Sequence, residues 1–421
     1  MRLKRRTVLA GMAAGGVMLS APAAIGQARP RVVVIGGGSG GATAARYLAR
    51  DSDGALDVTL VEPSRTYYTC YFSNLYLGGF WNLGDLAHSY GTLAASYGIN
   101  VVHDWAVGVD RDAQTVSLAG GAVLPYDRLV VSPGIDFVDD SVPGWSVAAQ
   151  NRMPHAYKAG SQTELLKAQV ENMREGGTFA MVAPPNPYRC PPGPYERISM
   201  VAHVLKERNP TAKILLVDPK ESFSKQGLFE DGWARHYAGM IDRIGPDFGA
   251  SNVSVDPEAM TVDIDGVVEQ VDVCNVIPAQ KAGRIAELAG LTNDVGWAPV
   301  VPANMKSQMD DKIHVLGDAS QQGDMPKSGF SANSQAKVAA NAIRHELLDA
   351  RLFPARYANT CWSLIAPGDG VKVGASYEAT EERIASVEGF ISQVGEDSAL
   401  RQQTYEESIG WYNGIVADMF S

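Results

Sequence analysis

Four cysteines, Cys70, Cys190, Cys274 and Cys361, carry the thiol chemistry open to this 421-residue chain. They admit three full pairings, and spacing does not choose among them. Cys274 lies in the apolar run 271–277 and reads as a small core side chain. Cys190 sits in a proline-rich stretch, Pro184-Pro185-Asn186-Pro187-Tyr188-Arg189-Cys190-Pro191-Pro192-Gly193-Pro194-Tyr195-Glu196. Glu196, near an expected helix start, suits either a general base or an acid that interacts with the helix dipole. The second chemical constellation is Gly36, Gly38 and Gly41, with Glu62 following after a helix-length interval. A G-x-G-x-x-G loop brings backbone N–H groups and a positive helix end to a pyrophosphate, and the later acid takes ribose hydroxyls. The seven histidines show no ligand spacing, so no protein-bound metal is expected.

The glycines need a strand before them and a helix after them. Residues 32–35 and 42–50 supply these, and 58–62 completes a βαβ unit. A second α/β unit begins near residue 144, with a helix at 161–174 and a strand at 178–183. Where a second glycine loop would follow, the proline stretch appears instead. Proline removes N–H donors and stiffens φ, so this loop cannot build the same anion cradle. Helix 197–208, strand 213–217, a helical 225–244 and an alternating hairpin over 252–279 follow. Strand 312–316 closes on Gly317-Asp318, and a helix is expected over 331–348. The tail, 353–421, holds Cys361-Trp362, a hairpin-like pair at 363–365 and 371–375, a polar stretch, and Trp411-Tyr412.

Apolar residues make up 45% of the chain and charged residues 20%, the balance of a folded protein of two to three domains. Arg2, Lys4, Arg5 and Arg6, a mild apolar run, and cleavage-like Ala21-Pro22-Ala23 and Gly26-Gln27-Ala28 make residues 1–28 an export signal. Arg5-Arg6 before Thr-Val-Leu-Ala looks like the twin-arginine type, which implies a periplasmic mature protein. Gly11, Gly15, Gly16 and Pro22 make the run a poor lipid-spanning helix. Without the segment's four positive charges the formal charge goes from −11 to −15. So acidic a surface argues against nucleic acid and suits either a basic protein partner or simple solubility. The polar tail shows no membrane dock.

Two segments resemble elements of the glutathione-reductase superfamily. Tyr126-Asp127-Arg128-Leu129-Val130-Val131-Ser132-Pro133-Gly134 is similar to the stretch that returns the chain to the first sheet, and His314-Val315-Leu316-Gly317-Asp318 to the second FAD fingerprint. The resemblance implies an α/β fold of two Rossmann-like domains plus a small C-terminal α+β domain. The expected divisions are a discontinuous FAD domain (29–143 and 280–350), a second domain without a nicotinamide site (144–279), and a C-terminal interface domain (351–421). In this architecture Cys190 and Cys361 both reach the flavin face, where a disulfide would serve either redox chemistry or as a staple between domains.

The glycine loop, Cys70, Arg189-Cys190-Pro191-Pro192-Gly193-Pro194-Tyr195-Glu196, Gly317-Asp318, Cys361-Trp362 and the ending Trp411 to Phe420 together resemble the flavoprotein subunit of flavocytochrome c sulfide dehydrogenase. That resemblance implies FAD bound covalently through Cys70 and a redox-active Cys190–Cys361 disulfide attacked by hydrosulfide, with the persulfide on Cys190. No C-x-x-C-H occurs, so the haem is expected on a separate c-type cytochrome subunit. Its contact is expected on the C-terminal region near Trp411 and Tyr412, two aromatics that suit plain core as well. The rival readings are a sulfide:quinone oxidoreductase, an NAD(P)H-dependent reductase and a flavin-binding scaffold with a purely structural disulfide.

Overall fold

The computed structural model describes residues 28–421, so the expected signal segment lies outside the described residues except for Ala28. The first sheet is wholly parallel, in the order Ile313–Val315, Arg128–Val131, Arg31–Ile35, Asp57–Val61, Asn100–Val102. Val32, Val33, Val34 and Ile35 are all buried at its centre, which is why they form an unbroken apolar run rather than an alternating one. The chain then turns into helix Ser39–Asp51, which packs against helix Gly329–Leu348. That turn requires glycine at two places. Gly36 has φ +96° and a Cβ there would sit 2.3 Å from the Ser132 carbonyl oxygen, while a Cβ on Gly41 would sit 1.8 Å from that of Gly36.

A second parallel sheet runs in the order Ile241–Ile244, Lys213–Val217, Thr178–Val182, Val273–Val276. The chain passes between the two sheets on paired segments, because Ile135–Phe137 is antiparallel to Gln280–Ala282. Two expectations change here. The helix expected over 225–244 ends at His236, and Ile241–Ile244 becomes the fourth strand, since Gly239 at φ +75° turns the chain before it. The expected hairpin is a three-stranded antiparallel sheet, Val253–Asp256, Thr261–Ile264 and Val267–Gln270, followed by the parallel strand that carries Cys274.

The tail is more regular than its sequence suggests. Strands Arg356–Ala366, Asp369–Ala379 and Ile384–Ile391 form an antiparallel sheet, and Ser398–Phe420 is one helix capped by Asp397. That helix escapes a periodicity reading because buried Arg401, Thr404 and Ser408 share its inward face with Tyr412, Ile415 and Met419.

Candidate active site

A cleft of about 1150 Å³ opens where the first sheet's strands end in loops. Gly36, Gly38, Glu62, Cys70, Gly134, Gly317 and Asp318, seven of the eight expected cofactor residues, line it. Gly41 stands behind it, where its role is the close approach to Gly36. Glu62, at the end of the second strand, accepts from the Gly37 and Ser64 N–H groups at 2.8 and 2.9 Å. Two buried polar atoms at this cleft lack a hydrogen-bond partner, Asp318 Oδ1 and Arg189 Nη2, although the two side chains face each other at 3.8 Å. Burial pushes the Asp318 carboxyl up, against the pull of Arg189 and Lys327. Unpaired polar atoms beside a glycine cradle fit a polar, dinucleotide-type ligand that would complete their bonding. Helix Gly329–Leu348 begins two residues before the expected start, capped by the Ser328 hydroxyl, and Gly329 lines the cleft.

A smaller cavity of about 80 Å³ adjoins the cleft, sized for a small anion rather than a nucleotide. Cys70, Cys190, Cys361 and Glu196 all line it, and Cys70, Arg189 and Gly329 border both spaces. Three of the four cysteines therefore meet, from three distant parts of the chain. Cys70 follows the short strand Thr66–Tyr68, and its carbonyl accepts from the Ser73 hydroxyl at 2.5 Å. Cys190, at φ +55°, is pinned by its N–H donating to the Lys327 carbonyl at 2.7 Å. Its neighbours are held as well: the Arg189 N–H donates to Gln280 Oε1 at 2.8 Å, and the Tyr157 hydroxyl to the Arg189 carbonyl at 2.6 Å. Cys361 lies within strand Arg356–Ala366, and Asn359 Nδ2 donates to its Sγ at 3.4 Å. All four cysteines are free thiols in this structure, so the expected Cys190–Cys361 bridge is not formed in it. Burial raises all three cavity thiols, Cys190 well above its ordinary value, while Asn359 and Lys225 oppose the rise at Cys361. Cys274 is fully buried in the second sheet, as its apolar setting implies.

The helix after Cys190 runs Gly193–Arg208, four residues longer at its start than expected, because Pro194 suits a first helical turn. Glu196 therefore stands inside that turn. Oε1 accepts from the Leu364 N–H at 2.9 Å and Oε2 from Asn74 Nδ2 at 2.8 Å, and burial pushes the carboxyl up. The carboxylate joins three elements as well as facing the cavity.

Other placements depart from expectation. Tyr412 is buried, its hydroxyl donating to the Asp85 carbonyl at 2.9 Å, and Trp411 packs on Tyr71, Phe330 and Trp362 beside the cavity. Tyr412 is therefore core, while Trp411 keeps part of its surface exposed. The tail is also less polar outside than its composition suggests, since Val387, Phe390, Ile391 and Val394 are exposed. Among the described residues no helix is long and apolar enough to cross a membrane.

Sequence reasoning missed Arg189, Lys225 and Asn359 as neighbours of the sulfurs. Arg189 had a signal, adjacency to Cys190. Lys225 had none, because it arrives from the second sheet's helix Gln226–His236 and donates to the Cys361 carbonyl across 136 residues.

Comparison with known proteins fits this arrangement. Residues 163–278 match a family model described as the central part of the sulfide dehydrogenase [flavocytochrome c] flavoprotein chain, and 354–420 one described as flavocytochrome c sulphide dehydrogenase, flavin-binding. Residues 30–171 match pyridine nucleotide-disulphide oxidoreductases. A sulfide dehydrogenase [flavocytochrome c] flavoprotein chain from Chlorobaculum thiosulfatiphilum is 59% identical over 44 residues, covering 10% of this chain and 90% of that sequence. The mitochondrial sulfide:quinone oxidoreductase of Dictyostelium discoideum is 22% identical over 337 residues, 75% of this chain and 71% of that one. In fold, the sulfide:quinone oxidoreductase of Aquifex aeolicus superposes with a TM-score of 0.68 at 19% identity over 91% of both chains. On these matches, the chain belongs to the flavocytochrome c sulfide dehydrogenase flavoprotein family.

Proposed function

We propose that this protein oxidises hydrosulfide at a Cys190–Cys361 disulfide beside an FAD held in the glycine-loop cleft and joined covalently to Cys70. The electrons would pass to a c-type haem on a separate chain, in the periplasm. One observation carries the reading: Cys70, Cys190 and Cys361 line a single small cavity that meets the cleft at Cys70, Arg189 and Gly329. FAD, when bound, accepts two electrons and releases them one at a time.

The residues around it account for the rest. Gly36, Gly38, Gly134 and Gly317 let backbone approach the dinucleotide, Glu62 stands at the ribose position, and Asp318 and Arg189 present unpaired polar atoms to it. Trp362 and Trp411 wall the cavity and limit water. The second sheet's own acid, Asp218, is already taken by the Tyr195 hydroxyl at 2.9 Å, Lys220 Nζ at 2.6 Å and Arg243 Nε at 3.3 Å. With that acid occupied and prolines in the preceding loop, sulfide rather than a nicotinamide is the reductant. The names of the Chlorobaculum relative and of the matched families support a cytochrome acceptor. The exposed Val387, Phe390, Ile391 and Val394 favour a second reading, in which the acceptor is a membrane quinone.

Anaerobic titration of the flavin-loaded protein tests the function. Sulfide is expected to bleach the flavin's visible absorption, NADH to leave it unchanged, and Cys190→Ser or Cys361→Ser to abolish the response with flavin still bound. Reoxidation by a c-type cytochrome but not by a soluble quinone supports the first acceptor, and the reverse supports the second. Bleaching that survives both serine variants would overturn the thiol-pair mechanism. Flavin released freely on acid precipitation would overturn the Cys70 link.

A further inference from the structure

Lys225 is a buried cation, 5% exposed, at the N-cap of helix Gln226–His236. Its backbone holds φ +64°, a region that non-glycine residues seldom occupy without cause. Nζ donates to the Cys361 carbonyl at 3.0 Å and to Ser363 Oγ at 2.8 Å. Both of these partners are neutral oxygens, and among the described residues no ion pair to it is found. A buried ammonium with only neutral partners is costly, and the cost falls when an anion forms nearby. Burial pushes its pKa down to about 8, and the groups whose charge opposes that fall are Cys361, Glu196 and Cys190.

The two sulfurs of the cavity are not equivalent. Cys361 has Asn359 Nδ2 on its Sγ and Lys225 on its own backbone, and is faced by Glu196 and, on the neighbouring strand, by Tyr377. Cys190 is faced by Glu196, Cys361, Cys70, Tyr157 and Tyr188 on the unfavourable side, with Arg189 and, more weakly, Arg197 and Lys225 opposing them. Neither its Sγ nor its carbonyl accepts a hydrogen bond from Lys225 or Asn359. In thiol–disulfide exchange the better-stabilised thiolate leaves faster.

We propose that Lys225 is a positioning residue that makes Cys361 the sulfur on which negative charge collects when the thiol pair is opened, which directs hydrosulfide to Cys190. This rests on the reading of the pair as a disulfide attacked by sulfide. In that step HS⁻ forms a bond to Cys190 Sγ and the Cys190–Cys361 bond breaks. Its electron pair stays on Cys361 as a thiolate, and Cys190 becomes a persulfide that keeps the proton on its terminal sulfur. Total charge is unchanged, and no further reactant is needed.

The test is pulse alkylation with iodoacetamide of the full-length, flavin-loaded, reduced protein across a pH series, with Cys361 and Cys190 quantified separately by peptide mass. In the wild type, Cys361 is expected to become reactive at lower pH than Cys190. Lys225→Met should move the Cys361 profile upward by about one pH unit, a loss of about tenfold in thiolate at neutral pH. Lys225→Arg should restore most of it. A Cys361 profile unmoved by Lys225→Met would overturn the inference. So would a wild type in which Cys190 reacts at the lower pH, a result that needs no variant to fold. Trapping after one equivalent of sulfide separates this inference from the functional reading. Persulfide on the Cys190 peptide supports the direction of attack, and persulfide on the Cys361 peptide overturns it. Persulfide on neither sinks the sulfide reading itself, while the alkylation profiles still decide whether Lys225 controls Cys361.

Discussion

Glu196 faces the cavity and ties three elements together with one side chain, and its titration reports on the second of these. Burial raises its carboxyl above the ordinary 4.5, against hydrogen bonds from Asn74 and the Leu364 N–H that pull it down. The folded state thus holds the proton more tightly than the unfolded chain. The stability this contributes is complete in acid below 4.5 and is lost as pH rises through the folded value. Glu196→Gln, which does not titrate, should gain in melting temperature relative to the wild type as pH rises from about 4 to about 7. Melts of the two proteins at matched pH check this, and a constant gap across the range would contradict it. A general-base role would add a second effect, slower sulfide-driven flavin reduction in the same variant. At this scale the glycines, Glu62 and Asp318 were legible because each obeys a local spacing rule. The partners of Glu196 were not, since Leu364 reaches it across 168 residues.

At the scale of elements, strand Ile313–Val315 brings Gly317 and Asp318 to the cleft and carries a buried histidine to do so. His314 is fully buried on the end strand of the first sheet, beside Arg128–Val131, neither ring nitrogen has a hydrogen-bond partner, and burial pushes its pKa down to about 3. The unfolded chain therefore binds a proton below 6.5 that the folded strand refuses. The resulting loss sets in as pH falls below that value, at roughly 1.4 kcal/mol per pH unit. His314→Leu removes it, so urea unfolding should show a stability shallower in pH by about one proton between 6.5 and about 5. An unchanged slope would mean that the imidazole finds a partner when charged. Parallel strands were legible here because burial on both faces leaves continuous apolar runs. The helix Ser398–Phe420 was not, because buried Arg401 and Thr404 break the apolar stripe that a reader seeks.

The whole molecule is held together around its small cavity by the returning C-terminal helix. Tyr412 packs on Phe72 and Trp81 with ring centroids at 4.7 and 4.8 Å, and its hydroxyl binds the Asp85 carbonyl. Tyr412→Ala is expected to cost about 3–5 kcal/mol through the void it leaves, and Tyr412→Phe about 1–3 kcal/mol through the unsatisfied carbonyl. Urea unfolding of the flavin-loaded protein measures both, and a Tyr412→Ala cost under about 1 kcal/mol would show that the helix does not anchor the assembly. The sequence by itself determined the glycine cradle, the acid at the end of each fingerprint, the buried strands and the lone core cysteine, because all of these are constraints between residues a few positions apart. The geometry by which Cys70, Cys190 and Cys361 line one cavity, that Tyr412 is core rather than surface, and that Lys225 stands behind Cys361 were decided only by tertiary structure. Those contacts join segments from different sheets, and their geometry follows from how the sheets pack, which no local pattern encodes.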